Sequence, residues 1–292
     1  MNHTAFAPGK LILMGEHAVV YGHPALAMAV DRGMTISLTN RAGKTAITDP
    51  TIDEPRLMKA LLTVLPEDGV GVGIKSTLPM GRGMGSSAAL AVALGRASMA
   101  REGVPVTEPE LNRRAFEVER IFHGNPSGID HTVCMRGGAV CYRRTTQGPE
   151  FKAVELPKLP IVVIDSGRAG NTAEMVDSVA AQRPAVDTVL ADIGLLLDAT
   201  MPSIRAGDLN AIGAAWLENH RLLQEIGVSN SDLDAIVNLA VSAGATGAKL
   251  AGAGGGGVVI ALAPDPEAIT QRASEVGLDA FVTHCHASDP LN

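Results

Sequence analysis

Four groups of residues carry side chains whose types and spacing could do chemistry. In APGKLILMGEHAVVYGHPAL, Lys10 follows a Pro–Gly turn, and Glu16 and His17 follow Gly15 at the end of an apolar run. Polar groups bunched at a strand end are where loops on a rigid scaffold tend to place function. The alternative is a surface turn with ordinary solvated charges. In LPMGRGMGSSAALAVAL, Gly81, Gly83 and Gly85 and the hydroxyls of Ser86 and Ser87 stand directly before an Ala/Leu/Val run of helical character. A helix start has unsatisfied N–H groups and the positive dipole end, so it attracts anions. Glycines before it let the backbone curl around a phosphate where any Cβ would clash. The hydroxyls can cap the helix or ligate a metal. This chemistry is nucleotide phosphate binding without a Walker lysine.

The third group is Glu119 and Asp130, on either side of His-Gly-Asn-Pro-Ser-Gly. One carboxylate near a helix end and another after a Pro/Gly loop suit a metal ligand and a general base. Equally, Glu119 reads as a solvated helix charge and Asp130 as an N-cap. The fourth, Gly252–Gly257 (GAGGGG), fits the letters of a dinucleotide fingerprint, but it precedes the strand-like VVIALA instead of a helix. A loop whose bare backbone approaches a ligand, Gly254 included, is the better reading. Less is expected of the rest. His284, Cys285 and His286 alternate faces on an extended segment, which disfavours a metal site. His23 and His131 suit local hydrogen bonds, Trp216 suits core packing, and Ser127 stands in no nucleophile elbow.

The elements that must position these groups are legible in part. LILMG and MTISLT read as strands around a glycine-bounded turn, a helix is expected over Asp53–Leu65, and VGVGIKSTL is a strand feeding the glycine–serine loop. The helix from Ser86 should stop at Glu102, before Gly103 and Pro105. Another begins after Thr107, with Pro109 in its first turn. GGAVCYRR and FKAVEL suggest a hairpin, and LPKLP marks a boundary near residue 158. After it come three helices and a glycine loop entering a strand. This mixture, without a strict βαβ rhythm, is α+β.

Composition narrows the function classes. The 292 residues allow one large domain or two ordinary ones. A hydrophobic fraction of 46% with 3% aromatics means a core built from Ala, Val, Leu, Ile and Met. A net charge of −7 argues against non-specific nucleic-acid binding. No run reaches the ~20 apolar residues of a membrane helix, and the first residues lack a signal-peptide pattern. Three cysteines support neither a disulfide framework nor a CxxC zinc site, so a cytoplasmic, reduced protein is expected.

In this order, the three glycine motifs resemble those of the GHMP kinases over nearly the whole chain. GEHAVVYGHPAL, HGNPSGID, SGRAGNTAEMV and the segment from Asn219 to Gly257 look specifically like the mevalonate kinase branch. The resemblance implies a two-lobed fold: a ribosomal-protein-S5-like domain over 1–158, a ferredoxin-like domain over 159–292, and the active site in the cleft between. It implies ATP and mevalonate as substrates, Mg²⁺ as cofactor and, by analogy, a homodimer. At matching positions, Asp130 would be the base toward the C5 hydroxyl, with Lys10 balancing its charge and that of the developing alkoxide. Pro79, Gly81, Gly83, Met84, Gly85, Ser86, Ser87 and Ala88 would wrap the triphosphate, and Ser87 and Glu119 would hold the metal. Glu16, His17, Thr172 and Gly254 would face the substrate. Ala251 stands where the family often has threonine, and Val258 where it often has cysteine. Rival readings are another kinase of the superfamily, acting on phosphomevalonate, a sugar or homoserine, a nucleotide-binding regulator without catalysis, and an NAD-dependent oxidoreductase. The last fails on the order of elements around GAGGGG.

Overall fold

A computed structural model describes residues 2–49, 51, 54–124 and 128–287. Asn125, Pro126 and Ser127 of the NPSG loop lie outside the described residues, as does Asp53. The first half comprises β1 (Asn2–Met14), β2 (Pro24–Lys44), β3 (Ala46–Ile47), α1 (Pro55–Leu61), β4 (Asp68–Ser76), α2 (Ser86–Glu102), α3 (Glu108–His123), α4 (Ile129–Arg136), β5 (Ala139–Thr145) and β6 (Gly148–Val154). The second comprises β7 (Ile161–Asp165), α5 (Thr172–Ala181), α6 (Asp187–Ala206), α7 (Leu209–Glu225), α8 (Ser231–Ser242), β8 (Gly247–Ala251), β9 (Val258–Leu262), α9 (Pro266–Glu275) and β10 (Ala280–Thr283).

In the first sheet the order is β3-β4-β2-β5-β6, with β1 paired antiparallel to β2. The second is antiparallel, in the order β10-β7-β9-β8. Helices and strands thus form the expected α+β arrangement. The LILM run lies in β1, paired with residues 26–28 of β2, the MTISLT run lies in β2, paired with residues 2–7 of β1, and the GGAVCYRR/FKAVEL hairpin is β5–β6. Four helices, not three, precede β8. The extra one, α5, starts inside SGRAGNTAEMV, where glycines and polar residues hide a short helix. It is capped by Asn171, whose side chain accepts from Glu174 N–H. The expected Asp53–Leu65 helix is shorter, Pro55–Leu61, because the following residues leave it as turns.

α2 is the central helix. Residues 88–95 are buried on every side, which its Ala-rich sequence permits. Gly95 lets α3 close in: a Cβ there would sit 2.7 Å from Leu111 Cδ1. α3 is amphipathic and buries Leu111, Ala115, Val118 and, unusually, Glu119. A large core unites the first sheet with α2, α3 and Trp216 of α7, and a second lies between the other sheet and α5–α9.

Two features set the strand ends. A register shift between Pro8 and Lys10 interrupts the β1–β2 ladder, and Gly9 has no room for a Cβ, which would meet Met84 O at 2.8 Å. Lys10 N–H then donates to Met84 O at 2.9 Å, tying β1 to the glycine loop. In the second half, Gly213 of α7 lies against Thr246 and Gly247 at the start of β8. A Cβ on Gly213 would lie 2.4 Å from the Thr246 carbonyl. Gly213→Ala should therefore cost about 1–3 kcal/mol through forced separation of helix and strand. Its urea unfolding midpoint should fall, and an unchanged midpoint would mean that α7 slides away freely.

Candidate active site

The glycine–serine loop enters α2 through three left-handed glycines, Gly81 (φ +69°), Gly83 (φ +78°) and Gly85 (φ +72°). Gly85 is constrained twice, since a Cβ would also meet Lys10 Cγ at 2.8 Å. Gly81 and Gly83 are exposed, and Pro79, Ser86 and Ser87 are half-buried at the same opening. Met84 and Ala88 point into the core, so only their backbone can serve the loop. Gly83, just ahead of α2, lines a narrow cleft with glycines of the 252–257 loop, and the first N–H groups of α2 have no partner within the helix.

Beside it, Lys10 Nζ lies 3.2 Å from Asp130 Oδ1. Lys10 is almost fully buried in β1, whereas Asp130, in the first turn of α4, remains two-fifths exposed. The buried cation is fixed and the carboxylate is reachable, which suits a group that must take a proton from a ligand. Glu119 enters the same neighbourhood from α3. Burial, with the like charge of Asp130, raises its carboxyl from 4.5 to about 7, against the lowering effects of a Ser87 hydrogen bond and Lys10. Its Oε1 is buried without a partner among the described residues.

Ser87 Oγ also lies 2.9 Å from His123 Nε2. Burial lowers the His123 pKa, which favours the neutral ring. Neutral His123 can donate from Nε2 while the Ser87 hydroxyl turns its proton to Glu119. His123 was missed as a site residue, although it follows Glu119 by four positions, on the same helix face. His131 turns away from the cleft: its Nε2 lies 2.9 Å from Asn112 Oδ1.

The four residues expected to face the substrate sit in two settings, Glu16 and His17 buried and Thr172 and Gly254 along a cleft. Glu16 is buried and paired with Lys249 Nζ of β8, itself fully buried. Burial pushes both toward their neutral forms and their mutual attraction opposes it. Glu16 Oε2 has no partner among the described residues. His17, at φ +58°, donates from Nε2 to Ala253 O at 2.8 Å, joining the first motif to the glycine loop of the second half. Gly254 is demanded by packing as well as by any ligand, for a Cβ would fall 2.1 Å from Val228 O. Thr172 is exposed at the first turn of α5, lining a narrow cleft with Arg82, Gly170, Ala253 and Gly254. Lys249 and Arg82 were not foreseen. The signals available were a lone charge in an otherwise apolar strand and an arginine between two phosphate-loop glycines.

GAGGGG connects the antiparallel pair β8–β9 and leads into no helix. Cys285 bridges Val30, and His286 exchanges backbone bonds with Ala29 and Gly138, so that segment serves strand pairing. Among the described residues no group of three or more His, Cys, Asp or Glu side chains is placed to hold a metal. Nor is any helix there long and apolar enough to cross a membrane. A metal here would draw on a hydroxyl and a lone carboxylate, with the remaining ligands from phosphate and water. That donor set suits a hard, oxygen-seeking dication, and the unpartnered Glu119 Oε1 supplies the missing interaction.

Comparison with known proteins agrees with this geometry. The models "GHMP kinases N terminal domain" and "GHMP kinases C terminal" match residues 55–138 and 200–281. A mevalonate kinase of Thermococcus sibiricus is 34% identical over 94% of this chain and 93% of its own. One of Pyrococcus abyssi is 36% identical over 89% and 88%. The crystal structure of L. major mevalonate kinase in complex with R-mevalonate superposes with a TM-score of 0.85 at 27% identity, covering 98% of this chain and 96% of that one. Both domain models and these relatives show that the chain belongs to the mevalonate kinase family of the GHMP kinases.

Proposed function

We propose that this protein transfers the γ-phosphate of ATP to the C5 hydroxyl of (R)-mevalonate, giving 5-phosphomevalonate and ADP. The observation that carries the reading is the Lys10–Asp130 pair, 3.2 Å apart and next to the phosphate-binding loop. In this reading Asp130 accepts the hydroxyl proton while the alcohol oxygen forms its bond to the γ-phosphorus and the bond to the β-phosphate oxygen breaks. Lys10 balances the negative charge that passes from carboxylate to alkoxide. The backbone N–H groups from Gly81 to Ser87 position the triphosphate, which is most of what phosphoryl transfer asks of a protein. Ser87 and Glu119 would hold Mg²⁺, whose chemistry when bound is to neutralise phosphate charge. Thr172 and the backbone at Gly254 would face the acceptor. Glu16 and His17 would fix the first motif against the second half and so shape the acceptor side.

A phosphorylated acceptor would need an additional cation, but Arg82, which lines the cleft, is engaged by Asp165. This supports mevalonate over phosphomevalonate. The proposal includes a cytoplasmic, homodimeric enzyme whose two domains divide near residue 158. Purified protein with ATP and Mg²⁺ should release ADP when mevalonate is added, and not with phosphomevalonate, galactose or homoserine. Turnover with one of those and none with mevalonate would overturn the substrate assignment.

A further inference from the structure

We propose that Arg82 and Asp165 form a positioning pair that couples the phosphate loop to the acceptor side of the cleft, so that filling either side organises the other. This rests on reading the cleft as a two-substrate kinase site. Arg82 belongs to the phosphate loop, between Gly81 and Gly83, while Asp165 ends β7 in the other sheet. Arg82 Nε–H lies 2.8 Å from Oδ1 and 3.1 Å from Oδ2, straddling the carboxylate. Both side chains are largely shielded from water, so the charge-assisted contact is only partly screened.

The same two residues organise their own loops. Asp165 Oδ1 accepts the Gly167 N–H at 2.9 Å and so shapes the turn that leads to Thr172. The Arg82 carbonyl lies against Gly257, where a Cβ would come within 2.9 Å. Gly257 in turn donates to Arg168 O at 2.8 Å and accepts from Ser166 N–H at 3.0 Å. Three loops therefore meet at Arg82: the phosphate loop, the turn before α5 and the glycine loop before β9. A left-handed glycine on either side leaves the phosphate loop few restraints of its own, and the ion pair supplies one from the opposite domain.

A ligand that fixes the phosphate loop thus fixes Asp165 and the approach to Thr172. By linkage, a ligand at Thr172 must strengthen phosphate-loop binding by the same factor. The test is calorimetric titration of a Mg²⁺-loaded, non-hydrolysable ATP analogue into the full-length protein, with and without saturating mevalonate. The wild type should bind the analogue about tenfold more tightly when mevalonate is present. In Asp165→Asn this enhancement should shrink to less than about twofold, with the binary affinity preserved within about twofold; in Arg82→Ala, a residue of the phosphate loop itself, it should shrink likewise, with at most a modest loss of binary affinity. The double variant should behave like either single one, as expected of residues acting as a unit.

Asp165→Asn keeps an oxygen for the Gly167 N–H, so it remains informative if Arg82→Ala folds poorly. Full enhancement in both variants would overturn the proposal, as would no enhancement in the wild type. A loss of binary affinity above about tenfold in Arg82→Ala alone would also overturn it, marking Arg82 as a direct phosphate ligand. A wild type that neither binds nor phosphorylates mevalonate would instead remove the functional reading, and this coupling with it.

Discussion

Asp130→Asn should reduce kcat about a thousandfold, within the range supplied by a positioned general base, while leaving the affinity for ATP nearly unchanged. The amide keeps the shape of the side chain but cannot take a proton from the acceptor hydroxyl. The nucleotide contacts lie in another element, the loop entering α2, so they should survive. A second consequence follows from the neighbours. Asp130 is one of the two causes that raise the Glu119 carboxyl, burial being the larger. Without that like charge Glu119 should ionise at lower pH, and the pH at which Mg²⁺ binding sets in should fall with it. Single-turnover kinetics and Mg²⁺ titrations at several pH values read both effects. Ordinary turnover in Asp130→Asn would remove this residue from the mechanism.

Glu119→Gln should abolish most activity at physiological Mg²⁺ and yet stabilise the metal-free protein in alkaline solution. The sign follows from the direction of the shift. Glu119 is raised from 4.5 to about 7 in the fold, so the native state holds a proton that the unfolded chain releases. Its contribution is fully present below 4.5 and is lost as the pH rises through 7, a loss of about 3 kcal/mol. Glutamine cannot ionise and escapes that loss. Thermal melts in EDTA should show the variant above the wild type at pH 8, with the gap closing as the pH is lowered to about 4. Saturating Mg²⁺ should raise the wild-type melting temperature and leave the variant unmoved. In the wild type, the metal requirement should become steeper below about pH 7, where Glu119 must shed its proton before ligating. A variant that is less stable at pH 8 would show that Glu119 is satisfied without a metal.

The sequence was most legible where chemistry and local structure coincide. Gly85, Gly103 and the Ala-rich run between them delimit α2 by backbone freedom and burial alone, and its observed limits agree. The hairpin β5–β6 and the strand after GAGGGG follow from periodicity and turn residues in the same way. What stayed hidden depends on pairs far apart in the chain. Nothing near Glu16 announces Lys249, 233 residues later, because only the docking of β8 against the first motif brings them together. Arg82 and Asp165, 83 residues apart, are hidden for the same reason. α5 was lost because its helix sits between a glycine-rich start and Pro184, where local signals favour loop. Gly254, read as room for a ligand, is also required by a carbonyl of its own protein, a constraint no local signal carries.

The backbone ladder that Cys285 and His286 make with Val30, Ala29 and Gly138 has a bearing on how such a chain can evolve. Together with the Thr283–Asp31 hydrogen bond, it gives the N-terminal sheet a border woven from residues some 250 positions downstream. A half taken from one relative and grafted onto another would inherit a seam cut for a different partner. Substrate preference in this lineage should therefore drift by point substitution within the cleft more readily than by shuffling whole halves.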